Sequence, residues 1–179
     1  MAATRTGYAG GSLSDPDYHR IGDHVEAVEV TFDPRRISYE ELLAVFWSSH
    51  PSGLAPGPTR VATGIFYRGP EQRRAAEASR RRVAAATGEA VYSRVAPAGR
   101  FWPAEPRHQK FTLRRIAPRL VAEETARDPG FLGSTAAARL NGWLQGFGGE
   151  AALAAAAREL ETTPAELERR LDPEQPGGR

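Results

Sequence analysis

The sequence predicts an α/β sandwich followed by a helical C-terminal extension. Two observations point to this. Short segments of alternating apolar and polar residues interleave with amphipathic helical patterns as far as about residue 127. Beyond Asp128-Pro129-Gly130 the pattern turns helical and alanine-rich. The chain therefore divides into an expected domain at 1–127 and an extension at 128–179, whose tail from Asp172 has a composition that predicts disorder.

In order along the chain, residues 4–9 form a short strand that stops at Gly10-Gly11. Val25-Glu26-Ala27-Val28-Glu29-Val30-Thr31-Phe32 alternates like a half-buried strand. With even positions inward, Val28, Val30 and Phe32 share a face with Glu26, where a carboxylate costs desolvation unless it has partners or a task. Asp33-Pro34 ends the strand, and Ser38 with Glu41 forms a capping box for a helix whose Leu42, Leu43, Phe46 and Trp47 make one stripe. Residues 51–60 are a loop and 61–67 a strand. A helix over 70–86 packs Ala75, Ala76, Ala78 and Val83, leaving its arginines to solvent. A strand at 91–95, a loop carrying Phe101 and Trp102, and a helix from about His108 bearing Phe111, Leu113, Ile116 and Leu120 follow. Ser134 caps a helix through Leu144, Gly146 to Gly149 interrupt it, a helix covers 150–160, and Thr163-Pro164-Ala165-Glu166 opens a last one through Leu171.

The 179 residues, 40% hydrophobic and 26% charged, suit one globular domain with a small appendage. The net charge is only +2 and Lys110 is the single lysine, so the basicity is a general arginine bias and no nucleic-acid partner is expected. With no cysteine, this polypeptide has no disulfide, thiolate metal site or thiol nucleophile of its own. No stretch approaches the roughly 20 apolar residues needed to span a bilayer. The first residues lack the apolar core of a signal peptide, so a cytoplasmic protein without a membrane partner is expected.

Several local motifs are more specific. Thr6-Gly7-Tyr8-Ala9-Gly10-Gly11, Asp15-Pro16-Asp17-Tyr18, Gly22-Asp23-His24-Val25-Glu26-Ala27-Val28 and Ile37-Ser38-Tyr39-Glu40-Glu41-Leu42-Leu43 occur in this order. Phe46-Trp47 with His50, Ile65-Phe66-Tyr67, Pro97-Ala98-Gly99 with Phe101-Trp102, Ala104-Glu105 and His108-Gln109 continue the series. Over residues 4 to 113 the chain resembles the peptide methionine-S-sulfoxide reductases of the A type. The residues from Ser134 to Leu144 resemble a longer-tailed branch of that family.

The resemblance implies a two-layer, ferredoxin-like fold and reduction of methionine-S-sulfoxide, free or in proteins, as repair of oxidative damage. In the family a cysteine within Gly-Cys-Phe-Trp-Gly attacks the sulfoxide sulfur, while a carboxylic acid protonates the oxygen and tyrosine hydroxyls bind it. Glu26 matches the acid and Tyr18 one of the tyrosines; His24 and Tyr8 are further substrate-binding candidates. Burial raises the pKa of a strand glutamate, which suits it to deliver a proton near neutral pH. The bland alternatives are an arginine-paired strand carboxylate for Glu26 and a tyrosine covering the core edge for Tyr18. His24 beside Asp23 lacks a metal-ligand spacing and reads more simply as a hydrogen-bond partner, so no metal is expected. No bound cofactor is implied; thioredoxin or another thiol would be the external reductant, and the protein a monomer.

Two departures matter. The family's spacing puts the cysteine motif about 21 residues before Tyr8, ahead of Met1, so the expectation is that Met1 is not the natural start or that the chain is a gene remnant. The family's Asp and Tyr before Ile65 are missing, with Pro58 and Val61 in that stretch. The chain as it stands is thus expected to be inactive, the complete gene product a reductase. The alternatives are a non-catalytic sulfoxide-binding or regulatory module, or a vestigial product.

Overall fold

The computed structural model describes residues 3–50 and 63–172. The expected loop at 51–60, the stretch with Pro58 and Val61, and the tail at 173–179 lie outside the described residues. The mixed α/β class matches expectation. In order come β1 (Ala3–Ala9), β2 (Val25–Thr31), α1 (Tyr39–Ser48), β3 (Gly64–Tyr67), α2 (Gly69–Thr87), β4 (Arg94–Pro97) and β5 (Trp102–Pro103). The helices α3 (Phe111–Ile116), α4 (Pro118–Arg127), α5 (Thr135–Trp143), α6 (Gly149–Glu159) and α7 (Pro164–Leu171) complete the chain. Thr6–Glu105 form one compact unit; the described residues of Met1–Arg5 and Pro106–Arg179 form a second.

In the first unit β1 is the middle strand of a sheet ordered β2-β1-β5. It runs antiparallel to β5, with Gly7 opposite Pro103 and Tyr8 opposite Trp102. The approach is close enough that a Cβ on Gly7 would overlap the Trp102 carbonyl and the Phe101 ring, so this register requires glycine. β3 and β4 are parallel, Ile65 facing Val95, and α2 supplies the crossover that a parallel pair needs.

The predicted capping box starts α1: Glu41 N–H donates to Ser38 Oγ at 3.2 Å, and Ser38 N–H donates to the Glu41 carboxylate at 2.7 Å. Leu43 then buries against Ile65 and Ala76, with Phe46 and Trp47 half-buried beside them. Full burial of such a leucine stabilises by about 1.5–3 kcal/mol. Trp47 Nε1–H donates to Ser79 Oγ at 3.0 Å, which satisfies the indole where α1 meets α2.

The helical unit has its own core, in which Leu113, Leu140, Ala137, Ala156 and Leu167 are fully enclosed. Ser134 Oγ accepts the Ala137 N–H at 3.1 Å and Thr163 Oγ1 the Glu166 N–H at 3.2 Å, so both predicted caps are made. Buried Glu124 pairs with Arg170 and Arg127, tying α4 to α7.

Three expectations need correction. The helix expected from His108 is a 3-10 turn at Pro106–His108 followed by α3 and α4, divided at Ala117 (φ −120°, ψ 59°) because Pro118 forces the residue before it out of helical geometry. The strand expected at 91–95 is Arg94–Pro97, paired with β3. On β2 the buried residue is Val25, while Glu26 is exposed and Val28 remains 63% exposed. Alternation separates the faces of a strand without saying which one is covered.

Candidate functional site

Residues 12–24 form a loop between β1 and β2 that contains no helix or strand; beside the turn bonds from Asp17 N–H to the Arg20 carbonyl and from His24 N–H to the Ile21 carbonyl, side chains hold its main chain. The Asp23 carboxylate accepts the Ser12 N–H at 2.9 Å and the Leu13 N–H at 3.3 Å, bonds that hold its carboxyl below the usual range. Asp17 Oδ1 accepts the N–H groups of His19 and Arg20, both at 2.8 Å, and is lowered for the same reason.

His24 is 1% exposed. Its Nδ1 accepts the Gly11 N–H at 3.1 Å and its Nε2 lies 2.8 Å from the Leu13 carbonyl. Since Nδ1 must accept and Nε2 must donate, the ring is the neutral Nε2–H tautomer. Both nitrogens are engaged by backbone, so His24 clasps the start of the loop to the start of β2.

Tyr8 is likewise interior, at 2% exposure, and its hydroxyl donates to Glu105 Oε2 at 2.9 Å. Burial pushes the Tyr8 phenol well above its ordinary range, reinforced by the bond to Glu105 and by the charges of Glu105, Glu26 and Asp17. Glu105 thus meets this buried hydroxyl from 97 positions away. The other Glu105 oxygen accepts the main-chain N–H of Tyr18 at 3.0 Å. Tyr18 itself is 38% exposed, its ring edge-on to His19 at 5.4 Å.

Of the four candidates from the sequence, Glu26 and Tyr18 are therefore open to solvent, whereas Tyr8 and His24 are buried with their polar atoms bonded to protein. The burial expected of Glu26 is absent among the described residues. Glu105 is the residue that the sequence left without a role. It is 97 positions from Tyr8, and no local pattern announces that pairing.

Beside β2 lies a groove of about 550 Å³ walled by Val25, Glu26 and Val28 of β2, Leu43 and Phe46 of α1, and Ile65 of β3. An apolar concavity with few polar groups is the usual form of a binding site. Arg68 Nη2 donates to Glu29 Oε1 at 3.1 Å on the same groove. Tyr39 Oη and His50 Nε2, on residues that also line it, are buried atoms without a hydrogen-bond partner among the described residues. No group of three His, Cys, Asp or Glu side chains among the described residues could hold a metal ion. No helix among them is long and apolar enough to cross a membrane.

The profile of the peptide methionine sulfoxide reductase family matches residues 1–130. The peptide methionine sulfoxide reductase A5 of Oryza sativa subsp. japonica is 40% identical over 146 residues, covering 78% of this chain and 58% of the rice protein. The Drosophila melanogaster peptide methionine sulfoxide reductase is 37% identical over 164 residues, 90% of this chain and 66% of the fly protein. The chain thus spans about three fifths of the length of these relatives. Among solved structures, methionine sulfoxide reductase A of Corynebacterium diphtheriae superposes with a TM-score of 0.51 at 25% identity, covering 66% of each chain. Reduced Mxr1 from Saccharomyces cerevisiae shares the fold at a TM-score of 0.54 and 22% identity, over 59% of this chain and 66% of the yeast chain. With its ordered motifs, its fold and a profile match over most of its length, this chain belongs to the peptide methionine sulfoxide reductase family.

Proposed function

We propose that this chain carries the oxygen-binding and proton-donating side of a methionine-S-sulfoxide reductase site and does not turn over by itself. Glu26 is the proton donor and Tyr18 the hydrogen-bond donor to the sulfoxide oxygen. The observation that supports this is that both groups are solvent-accessible, with the Tyr18 main chain bonded to the Glu105 carboxylate that also holds buried Tyr8. Family membership supports it. Reduction transfers the sulfoxide oxygen to a thiol: a sulfur attacks the sulfoxide sulfur, the oxygen takes up a proton, and the resulting sulfenic acid is reduced by further thiol. No side chain here supplies that sulfur. The reaction therefore needs a thiol that these 179 residues do not carry, with thioredoxin or another thiol proposed as the external reductant.

Residues 1–127 are proposed as the family domain and 128–179 as a helical extension, a division supported by the profile match to residues 1–130. The protein is proposed to act as a cytoplasmic monomer.

Calorimetric titration of residues 1–179 with a peptide containing methionine-S-sulfoxide tests the binding half. Saturable binding lost in the Tyr18→Phe variant is expected; no saturable binding to the unmodified chain refutes it. Turnover with dithiothreitol is expected to be nil, and measurable reduction would refute the assignment of the nucleophile elsewhere.

A further inference from the structure

Glu105 is held in place by the ladder that precedes it. The Ala104 N–H donates to the Thr6 carbonyl at 2.9 Å, which carries the β1–β5 pairing one step past Pro103. From that position its two carboxylate oxygens take different donors, the Tyr8 hydroxyl at 2.9 Å and the Tyr18 main-chain N–H at 3.0 Å. Tyr8 is 2% exposed on the middle strand, whereas Tyr18 stands on a loop without regular structure. One carboxylate thus joins a buried residue of the middle strand to the loop segment that carries Tyr18.

We propose that Glu105 is a positioning residue for sulfoxide recognition, fixing the main chain of Tyr18 against Tyr8 so that the Tyr18 phenol meets the sulfoxide oxygen at a set place. The proposal rests on Tyr18 as the oxygen ligand. The chemistry of the joint calls for a carboxylate rather than an amide. Both partners are donors, each on its own oxygen, and a glutamine at 105 offers one acceptor oxygen and one NH₂ group that would face a second donor. Aspartate keeps the charge but is one methylene shorter, so it falls short of both donors at once.

The test uses residues 1–179, with hydrogen exchange at the Tyr18 amide followed by NMR and titration with a methionine-S-sulfoxide peptide. Glu105→Gln is expected to speed Tyr18 amide exchange about tenfold and to weaken peptide binding by a similar factor, the loss of roughly one charge-assisted bond. In a Tyr8→Phe background the glutamine oxygen is free to turn to the Tyr18 N–H. The same substitution should then change exchange and Kd by less than about threefold, a non-additivity that loss of packing would not give. Asp33→Asn, at an ion pair with exposed Arg35, serves as the control and leaves both readouts unchanged. If Glu105→Gln does not fold, Glu105→Asp replaces it with the same expectation. Unchanged exchange and Kd in these variants, with binding by the parent intact, would overturn the role of Glu105. Failure of the parent chain to bind sulfoxide would instead overturn the assignment of Tyr18, and with it the recognition role proposed here.

Discussion

Replacing His24 with phenylalanine keeps a ring of similar size in a site that is 1% exposed but removes both of its polar bonds. The Gly11 N–H loses its acceptor at 3.1 Å and the Leu13 carbonyl its donor at 2.8 Å. A fully buried orphan backbone group costs about 1–3 kcal/mol. Gly11 and Leu13 are only half-buried, so water reaches them and the lower end applies, about 1 kcal/mol each. The expected loss is about 2 kcal/mol, roughly a thirtyfold fall in the folding equilibrium. Urea unfolding followed by tryptophan fluorescence measures it as a lower midpoint with an unchanged slope. A loss under about 0.5 kcal/mol would refute the clasp and return His24 to the candidates for ligand contact. His24→Gln, which can reach one of the two partners, should fall between phenylalanine and the parent.

Leu140, fully enclosed in the helical core, should cost about 2–5 kcal/mol when truncated to alanine, read as a fall in the melting temperature of that unit. Tyr8 should be the last of the 5 tyrosines to ionise in an absorbance titration, and its step should vanish in Tyr8→Phe. Because its folded pKa is raised, its contribution to stability is complete below the unfolded value of about 10 and is lost as pH climbs from there toward the folded value. Alkaline unfolding should therefore soften in Tyr8→Phe. Asp23 has the opposite sign: its folded pKa is depressed, so its contribution is present above the unfolded value of about 4 and is lost as pH falls through the folded one. Asp23→Asn should flatten the acid limb of an unfolding curve, and an unaltered limb would show that the Ser12 and Leu13 bonds contribute nothing.

The sequence by itself determined whatever depends on neighbours in the chain. Ser38, Ser134 and Thr163 start their helices as expected, because a cap is made with backbone two or three residues away. Pro118 was a signal in plain view, and the division between α3 and α4 follows from its ring alone. The ordered motifs also determined the family, since residue order needs no coordinates. Only the tertiary structure decided that Glu26 and Val28 on the even face of β2 are exposed: alternation is a local property, whereas cover comes from other elements. It alone showed His24 turned inward onto backbone groups, and it alone brought Glu105 to Tyr8 and Tyr18, across 97 and 87 positions respectively. A hydrogen bond over such a separation has no periodicity to betray it. It exists because the β1–β5 register, set by the missing side chain of Gly7, brings the end of one strand beside the middle of the other.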